Sequence, residues 1–365
     1  MKLVRTFHPV GHVAFYTERF YDEAEQNVAN YVFDCGCYEA AKNGMSARDY
    51  EKRIKKAIDT EFKRDEKIDA LFISHFHQDH INGVEYLMSY CKIHKIYVPA
   101  ITPEIVIESF LYNYIATGNP LCRANKLLWR IVKGLFGEVM VFIKGKRPIG
   151  LRQINWEYTL FHPDIGNNKQ QIIKVFKAEP SFSKVFNGDN VDIDELTKAL
   201  YKVKINKCKK IYNDVYGKGH NSYSMTVLSG ICHEDEDGKE ANAACLPSCL
   251  RHMEWQCKGY SNRLCTLNCL YTGDYEAKNL LDKLQTVYEQ RLKFIGLIQV
   301  PHHGSEHNHN DRLYETPRLC IISVSDNDKY HHPDKKTIDA IQTQQCIPIM
   351  VTEDPKSIQR FAYSL

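Results

Sequence analysis

Six consecutive residues, His75-Phe76-His77-Gln78-Asp79-His80, hold three imidazoles and one carboxylate. Imidazole nitrogen and carboxylate oxygen are ligands that a divalent ion such as zinc takes, at about 2.0–2.2 Å. Alternation along an extended chain puts His75 and His77 on one side, as a pair for one ion. Asp79 and His80 begin the next turn and can face a second ion nearby. The competing reading is a polar loop with scattered histidines. It is rejected because all four ligand-type residues follow directly on an apolar strand.

That strand is Ile68 to Ser74, too apolar for a surface position and patterned as a buried one. Upstream, residues 1–35 read as two strands joined by a polar stretch, the second ending at Asp34-Cys35-Gly36. Ser46 to Arg64 is helical, with Ser46 as its cap and Tyr50, Ile54, Ala57 and Phe62 along one face. Val84 to Cys91 reads as a helix and Ile96 to Val98 as a short strand. Ile105 to Trp129 reads as helical. Met225 to Leu228, Arg263 to Tyr271, Leu297 to Val300 and Cys320 to Val324 read as strands, and Lys335 to Gln342 as a helix. This order predicts a layered α/β architecture. We read residues 1–365 as a single domain with two insertions: about 103–145, helical and basic, and 232–262, acidic and Cys-rich.

The composition, 43% hydrophobic and 25% charged, excludes a disordered or low-complexity chain. The net charge of +3 is too small to imply polyanion binding by itself. The N-terminus lacks the apolar stretch of about 7–15 residues that a signal peptide needs. The most apolar later run, Phe294 to Pro301, is far short of the roughly 20 residues that span a bilayer. The expectation is a cytoplasmic protein with reduced thiols and no membrane segment.

The HxHxDH segment resembles the signature of the metallo-β-lactamase superfamily, and similar landmarks follow in order. Tyr31 to Gly36 resembles its first motif, Gly219 to Ser224 the third, Leu270 to Asp274 the fourth and Val300 to Ser305 the fifth. The wording Val300-Pro301-His302-His303-Gly304-Ser305 is similar to the hydrolase domain of ComEC-type competence proteins and to phosphorylcholine esterases. Val10-Gly11-His12 and Tyr330-His331-His332-Pro333 match further elements of that subgroup, so the resemblance spans about residues 8–345.

The resemblance implies the αββα four-layer sandwich of that superfamily and a dinuclear metal centre, with zinc favoured and manganese the alternative. Its metal-bound hydroxide would attack phosphorus or an acyl carbon. By the same resemblance His75 and His77 serve the first ion, Asp79 and His80 the second, and Asp274 bridges both. One of His302 and His303 completes the second ion's set of ligands. His220 is favoured as a further ligand. The alternatives are a first ion with one protein ligand fewer, or a single-metal site. Asp79 and His332 are the catalytic candidates, His332 donating a hydrogen bond or a proton to a leaving group. Asp34 is read as structural. His307 and His309 are read as solvent-exposed.

Two other features have weaker readings. Cys232, Cys245, Cys249, Cys257, Cys265 and Cys269 lie close together but lack a tight CxxC pair, so a separate zinc is the lesser expectation. Cys35, Cys37, Cys265 and Cys269 read as packed thiols. Eight bases and one acid, Glu138, lie between Arg123 and Arg152. They read as a solvated face first and a phosphate-tracking surface second. Trp129, Phe136 and Phe142 within this stretch read as core. The expected function is metal-dependent hydrolysis of a phosphoester, in its sharper form by a nuclease. The rival substrates are a small ester, thioester, lactone or nucleotide. The rival class is a binding or effector module with a structural metal.

Overall fold

Ala70, Leu71 and Phe72 are buried, and the chain covers their strand on both faces. The computed structural model describes residues 1–12, 14–37, 47–151, 155–164, 168–216, 224–231, 267–315, 318–326 and 331–365. His220, Asn221, Tyr330 and the 232–262 insertion lie outside the described residues.

In chain order the first strands are β1 (Lys2–Phe7), β2 (Phe15–Tyr21), β3 (Asn27–Cys35), β4 (Lys67–Phe72), β5 (Lys92–Pro99) and β6 (Met140–Ile143). Next come β7 (Gly145–Leu151), β8 (Trp156–His162), the two-residue pair β9 (Phe186–Asn187) and β10 (Asn190–Val191), and β11 (Thr226–Ile231). The last are β12 (Asn268–Tyr271), β13 (Ile295–Gln299), β14 (Leu319–Ser323), β15 (Ile347–Val351) and β16 (Gln359–Ser364). The helices are α1 (Ala47–Glu61), α2 (Gln78–Ile81), α3 (Val84–Tyr90), α4 (Pro103–Thr117) and α5 (Arg123–Val132), followed by α6 (Asn168–Ala178), α7 (Ile193–Lys202), α8 (Ile205–Tyr216), α9 (Ala277–Tyr288) and α10 (Lys335–Thr343).

Among the described residues these strands form two seven-stranded sheets, ordered β16-β1-β2-β3-β4-β5-β6 and β15-β14-β13-β12-β11-β8-β7. Strands β3 to β6 are parallel, as are β12 to β15, and the remaining pairings are antiparallel. One apolar core lies between the sheets. There Phe33 stacks on Tyr271 with ring centroids 3.7 Å apart, and Tyr31 meets Tyr158 at 4.5 Å. A second core joins the outer face of the first sheet to α1, α3 and the helices α4 to α8. A third packs α9 and α10 on the second sheet. The layers are therefore αββα.

The N-terminal 35 residues form three strands rather than two. The long helix read over 105–129 is two helices, because Gly118 takes φ +71° and ends α4. Helices α6 to α8 extend the outer layer and pack on α4, an assignment the sequence reading did not make. Phe142 is 47% exposed on the short edge strand β6, not core, while Trp129 and Phe136 are half-buried. His307 is exposed, but His309 is half-buried and stacks on Tyr314. Cys35, Cys37 and Cys269 are buried, and Cys265 lies outside the described residues. Among the described residues no helix is long and apolar enough to cross a membrane.

A charge network crosses the sandwich. Arg5 and Glu18, both fully buried, pair at 2.7 Å between β1 and β2. Glu18 also accepts from Tyr158 at 2.8 Å, Ser229 at 2.7 Å and Tyr271 at 2.9 Å, all on the facing sheet. Every oxygen of the buried carboxylate is thus answered, which is what makes its burial tolerable.

His8 sets a pH dependence. Burial, with Arg360 and Arg19 nearby, pushes its pKa down to about 3. Unfolded, it titrates near 6.5, so the unfolded chain binds the extra proton below about that pH. The contribution is complete above about pH 6.5 and is lost as pH falls toward 3. His8→Phe, which preserves the stack on Phe15, should remove about 1.4 kcal/mol per pH unit from the slope of unfolding free energy between about pH 6 and 4. Urea unfolding at stepped pH measures it, and an unchanged slope would refute the assignment.

Candidate metal centre

Strand β4 delivers the 75–80 segment to one end of the sandwich. Met225 N–H bonds Ser74 O at 2.7 Å, tying the segment to the second sheet. His75 and His77 precede α2, and His77 caps it in extended backbone at φ −72°, ψ 146°. Asp79 and His80 fall in the first helical turn. Asn113 of α4 fastens the segment from outside, accepting from Gln78 N at 2.8 Å and donating to Phe76 O at 2.9 Å. Gly36 backs onto it so closely that a Cβ there would lie 1.8 Å from Asp79 O. The other residues arrive from the carboxyl ends of the parallel strands: Asp34 on β3, Asp274 after β12, His302 and His303 after β13. Ligand sites in open α/β sheets form at such ends.

Among the described residues two groups of ligand-type residues result, with their ligand atoms within 4.8 Å of one another: Asp79, His80, Asp274 and His303, and His75, His77 and Asp274. Asp274 belongs to both. Its Oδ1 lies 3.2 Å from His80 Nε2 and 3.8 Å from His303 Nε2. Its Oδ2 lies 3.6 Å from His75 Nε2 and 3.8 Å from His302 Nε2. One carboxylate oxygen therefore turns to each group.

Each histidine is anchored through its rear nitrogen. His75 Nδ1 lies 3.0 Å from Ser74 Oγ and 3.2 Å from Ser224 Oγ. His80 Nδ1 lies 2.7 Å from Asp34 Oδ2, and Asp34 also accepts from Ser74 N at 2.7 Å. His303 Nδ1 donates to Ser323 O at 2.9 Å. His77 is held the other way round, its Nε2 lying 2.9 Å from Glu108 Oε1. The inward atoms His75 Nε2, His77 Nδ1, His80 Nε2, His303 Nε2 and Asp79 Oδ1 are buried without hydrogen-bond partners. Buried polar atoms are normally satisfied, so a convergent set of unsatisfied imidazole nitrogens and a carboxylate oxygen fits divalent cations. The rear bonds are the kind that orient histidine ligands.

The electrostatics agree. Burial drives His75 well below the ordinary imidazole range and His303 down to about 3, so both lone pairs are available at neutral pH. Burial opposes charge on His80 too, but Asp274, Asp34 and Asp79 outweigh it and raise its pKa. Burial raises Asp79, while His302 and His80 outweigh burial at Asp274 and hold it ionised. A cation placed among these carboxylates competes with the proton on His80 for the same charge.

Geometry places His302 and His303 differently: His303 falls in the second group, while His302 presents its Nε2 3.8 Å from Asp274 Oδ2 and its Nδ1 2.7 Å from Asn308 Oδ1. Both take positive φ, 47° and 56°, as do Asp34 and His331. Such non-glycine backbone costs energy and gathers where a site over-determines it. His332 stands at the edge, its ring 6.1 Å from His302 and 5.7 Å from His12, outside both groups. Glu108 escaped the sequence reading. The signal was present: a lone carboxylate in the apolar run Ile105-Val106-Ile107-Glu108-Ser109-Phe110-Leu111.

A helix-flanked double sheet with a convergent His/Asp centre at the strand ends defines the metallo-β-lactamase type of fold. Within it, residues 26–153 match the family model described as the metallo-beta-lactamase superfamily (Lactamase_B). Among curated proteins, ribonuclease J of Mycoplasma genitalium is 31% identical over 77 residues, 21% of this chain. The match spans 13% of that protein's length. Among solved structures, one described as a peroxy diiron species of the chemotaxis sensor ODP is 17% identical with a TM-score of 0.21, covering 42% of this chain and 46% of that one. A metallo-beta-lactamase superfamily protein from the archaeon Sulfolobus tokodaii is 15% identical with a TM-score of 0.22, covering 43% and 54%.

Proposed function

We propose that the chain is a hydrolase that uses two divalent ions, zinc foremost, to cleave a phosphoester, in the manner of the ComEC-type hydrolase domain. The observation that carries this reading is Asp274, whose two oxygens turn to two ligand groups that share no other residue. The remaining ligands are His75 and His77 on one side, Asp79, His80 and His303 on the other. His220 remains our candidate for the first ion. Bound together, two such ions supply Lewis acidity and a water that ionises near neutral pH.

The chain's own residues do the rest. The rear anchors on His75, His80 and His303 keep the inward nitrogens aimed. Asp79 holds negative charge beside His80, at 3.8 Å. His332, with Asp334 Oδ2 3.3 Å from its Nδ1, holds a proton for the leaving group.

The phosphoester preference is supported by the ribonuclease J likeness and by charge at the same end of the fold. Ile143 pairs with Pro99, which lines the cavity beside His75 and His77. The next bases, Lys144, Lys146 and Arg147, are all exposed. The other bases contribute less to such a surface, since Arg123, Arg130 and Lys133 pair with Glu51, Glu85 and Asp194. One observation favours a small ester, thioester, lactone or nucleotide instead: α4 walls the His75/His77 side with Ile105, Glu108 and Ser109.

The test is a parallel assay of purified protein, with zinc or manganese, on bis-p-nitrophenyl phosphate, single-stranded DNA, RNA, cyclic nucleotides and acyl esters. Metal-dependent turnover of a phosphodiester is expected, lost with chelator. Turnover confined to acyl esters establishes the second reading and overturns the first.

A further inference from the structure

Glu108 stands where a carboxylate is costly. It is 1% exposed, on a helix whose neighbouring Ile105, Val106, Ile107, Phe110 and Leu111 are buried. A carboxylate so placed must be answered by donors. Its donors converge from the centre and from a second helix. Oε1 lies 2.9 Å from His77 Nε2 and accepts from Tyr212 Oη of α8 at 2.8 Å. Oε2 accepts from Ser109 Oγ at 3.1 Å. Tyr112, one turn along α4, lies flat on the His77 ring, with centroids 3.7 Å apart and planes 11° from parallel. The stack sets where the ring lies, and the carboxylate sets which way it faces.

We propose that Glu108 is a positioning residue that sets the tautomer of His77. By accepting Nε2–H it leaves the Nδ1 lone pair directed at His75 and Asp274. The inference rests on the metal-hydrolase reading above. The opposite tautomer would turn an N–H toward the cation site and set a lone pair against the carboxylate. Helix α4 is thereby part of the first ion's surroundings, not only a cover, and α8 supports it through Tyr212.

The test compares full-length wild type with Glu108→Gln and Tyr212→Phe. Zinc affinity, by competition with a chromophoric chelator, should fall about 10–100-fold in Glu108→Gln. Tyr212→Phe keeps the Glu108–His77 bond and should lose no more than about fivefold. The melting temperature of zinc-free Glu108→Gln should stay within about 3 °C of wild type. Two-bond nitrogen–proton NMR on zinc-free wild type should show His77 protonated at Nε2, with a tautomer mixture in the variant. Unchanged zinc affinity, or His77 protonated at Nδ1 in wild type, overturns the proposal. So does a zinc-free destabilisation large enough to account for the lost affinity. If Glu108→Gln does not fold, the wild-type tautomer decides. A wild type that takes up no zinc defeats the hydrolase reading, while the His77 tautomer in the same sample still decides this one.

Discussion

Asp274→Asn should abolish hydrolysis and strip the protein of bound metal while leaving its fold intact. The backbone of residue 274 is held independently of its side chain: its N–H donates to Ser224 Oγ at 2.9 Å, and its carbonyl accepts from Asn308 at 3.2 Å. Asparagine matches aspartate in shape, so these bonds survive. The negative charge that both groups share does not. Loss of a single oxyanion donor already costs about 10²–10³ in rate, and loss of a shared ligand should exceed that. Metal content of the purified variant, far-UV circular dichroism and turnover of bis-p-nitrophenyl phosphate test it together. Asp79→Ala removes a carboxylate from one group only and should also abolish turnover. If both variants keep wild-type activity, the chemistry is not at this centre.

Glu18→Ala should produce the largest loss of stability outside the centre. The substitution leaves the Arg5 guanidinium buried between the sheets without its carboxylate, and takes the acceptor from Tyr158, Ser229 and Tyr271. Breaking a buried pair from one side costs about 3–5 kcal/mol. Chemical denaturation of the zinc-free protein reads this directly. Replacing both partners, as Arg5→Met with Glu18→Leu, should recover much of the loss, because no charge then remains in the core. A Glu18→Ala variant destabilised by less than about 1 kcal/mol would show that the network only fills space.

Local signals were legible where the chemistry is local. The apolar strand before His75 and the alternation through His80 need only neighbouring residues, and the structure keeps them together. The strand ends after β12 and β13 were also legible, through short apolar runs that stop at Asp274 and at His302-His303. The outer helical layer was not. Residues 168–216 interleave buried positions such as Ile172, Phe176, Leu196, Leu200 and Cys208 with many lysines. Along the linear sequence the lysines mask the amphipathic faces. Phe142 was misread for the converse reason: an apolar residue on a short edge strand has no second layer to cover it.

What the amino-acid sequence determined by itself was the stock of ligands and the local backbone that presents them: three histidines and an aspartate on one strand-to-helix turn. Only the tertiary structure decided which lone pairs face inward. His302 and His303 are chemically identical neighbours, and the fold gives them different anchors, the Asn308 side chain and the Ser323 carbonyl. Asp274 is nearly two hundred residues from His75, and its two oxygens acquire separate partners only when the sheets stack. Glu108 finds His77 only because α4 folds back over the end of β4. These are orientations imposed by contacts distant in sequence, and residue type and spacing alone carry no record of them.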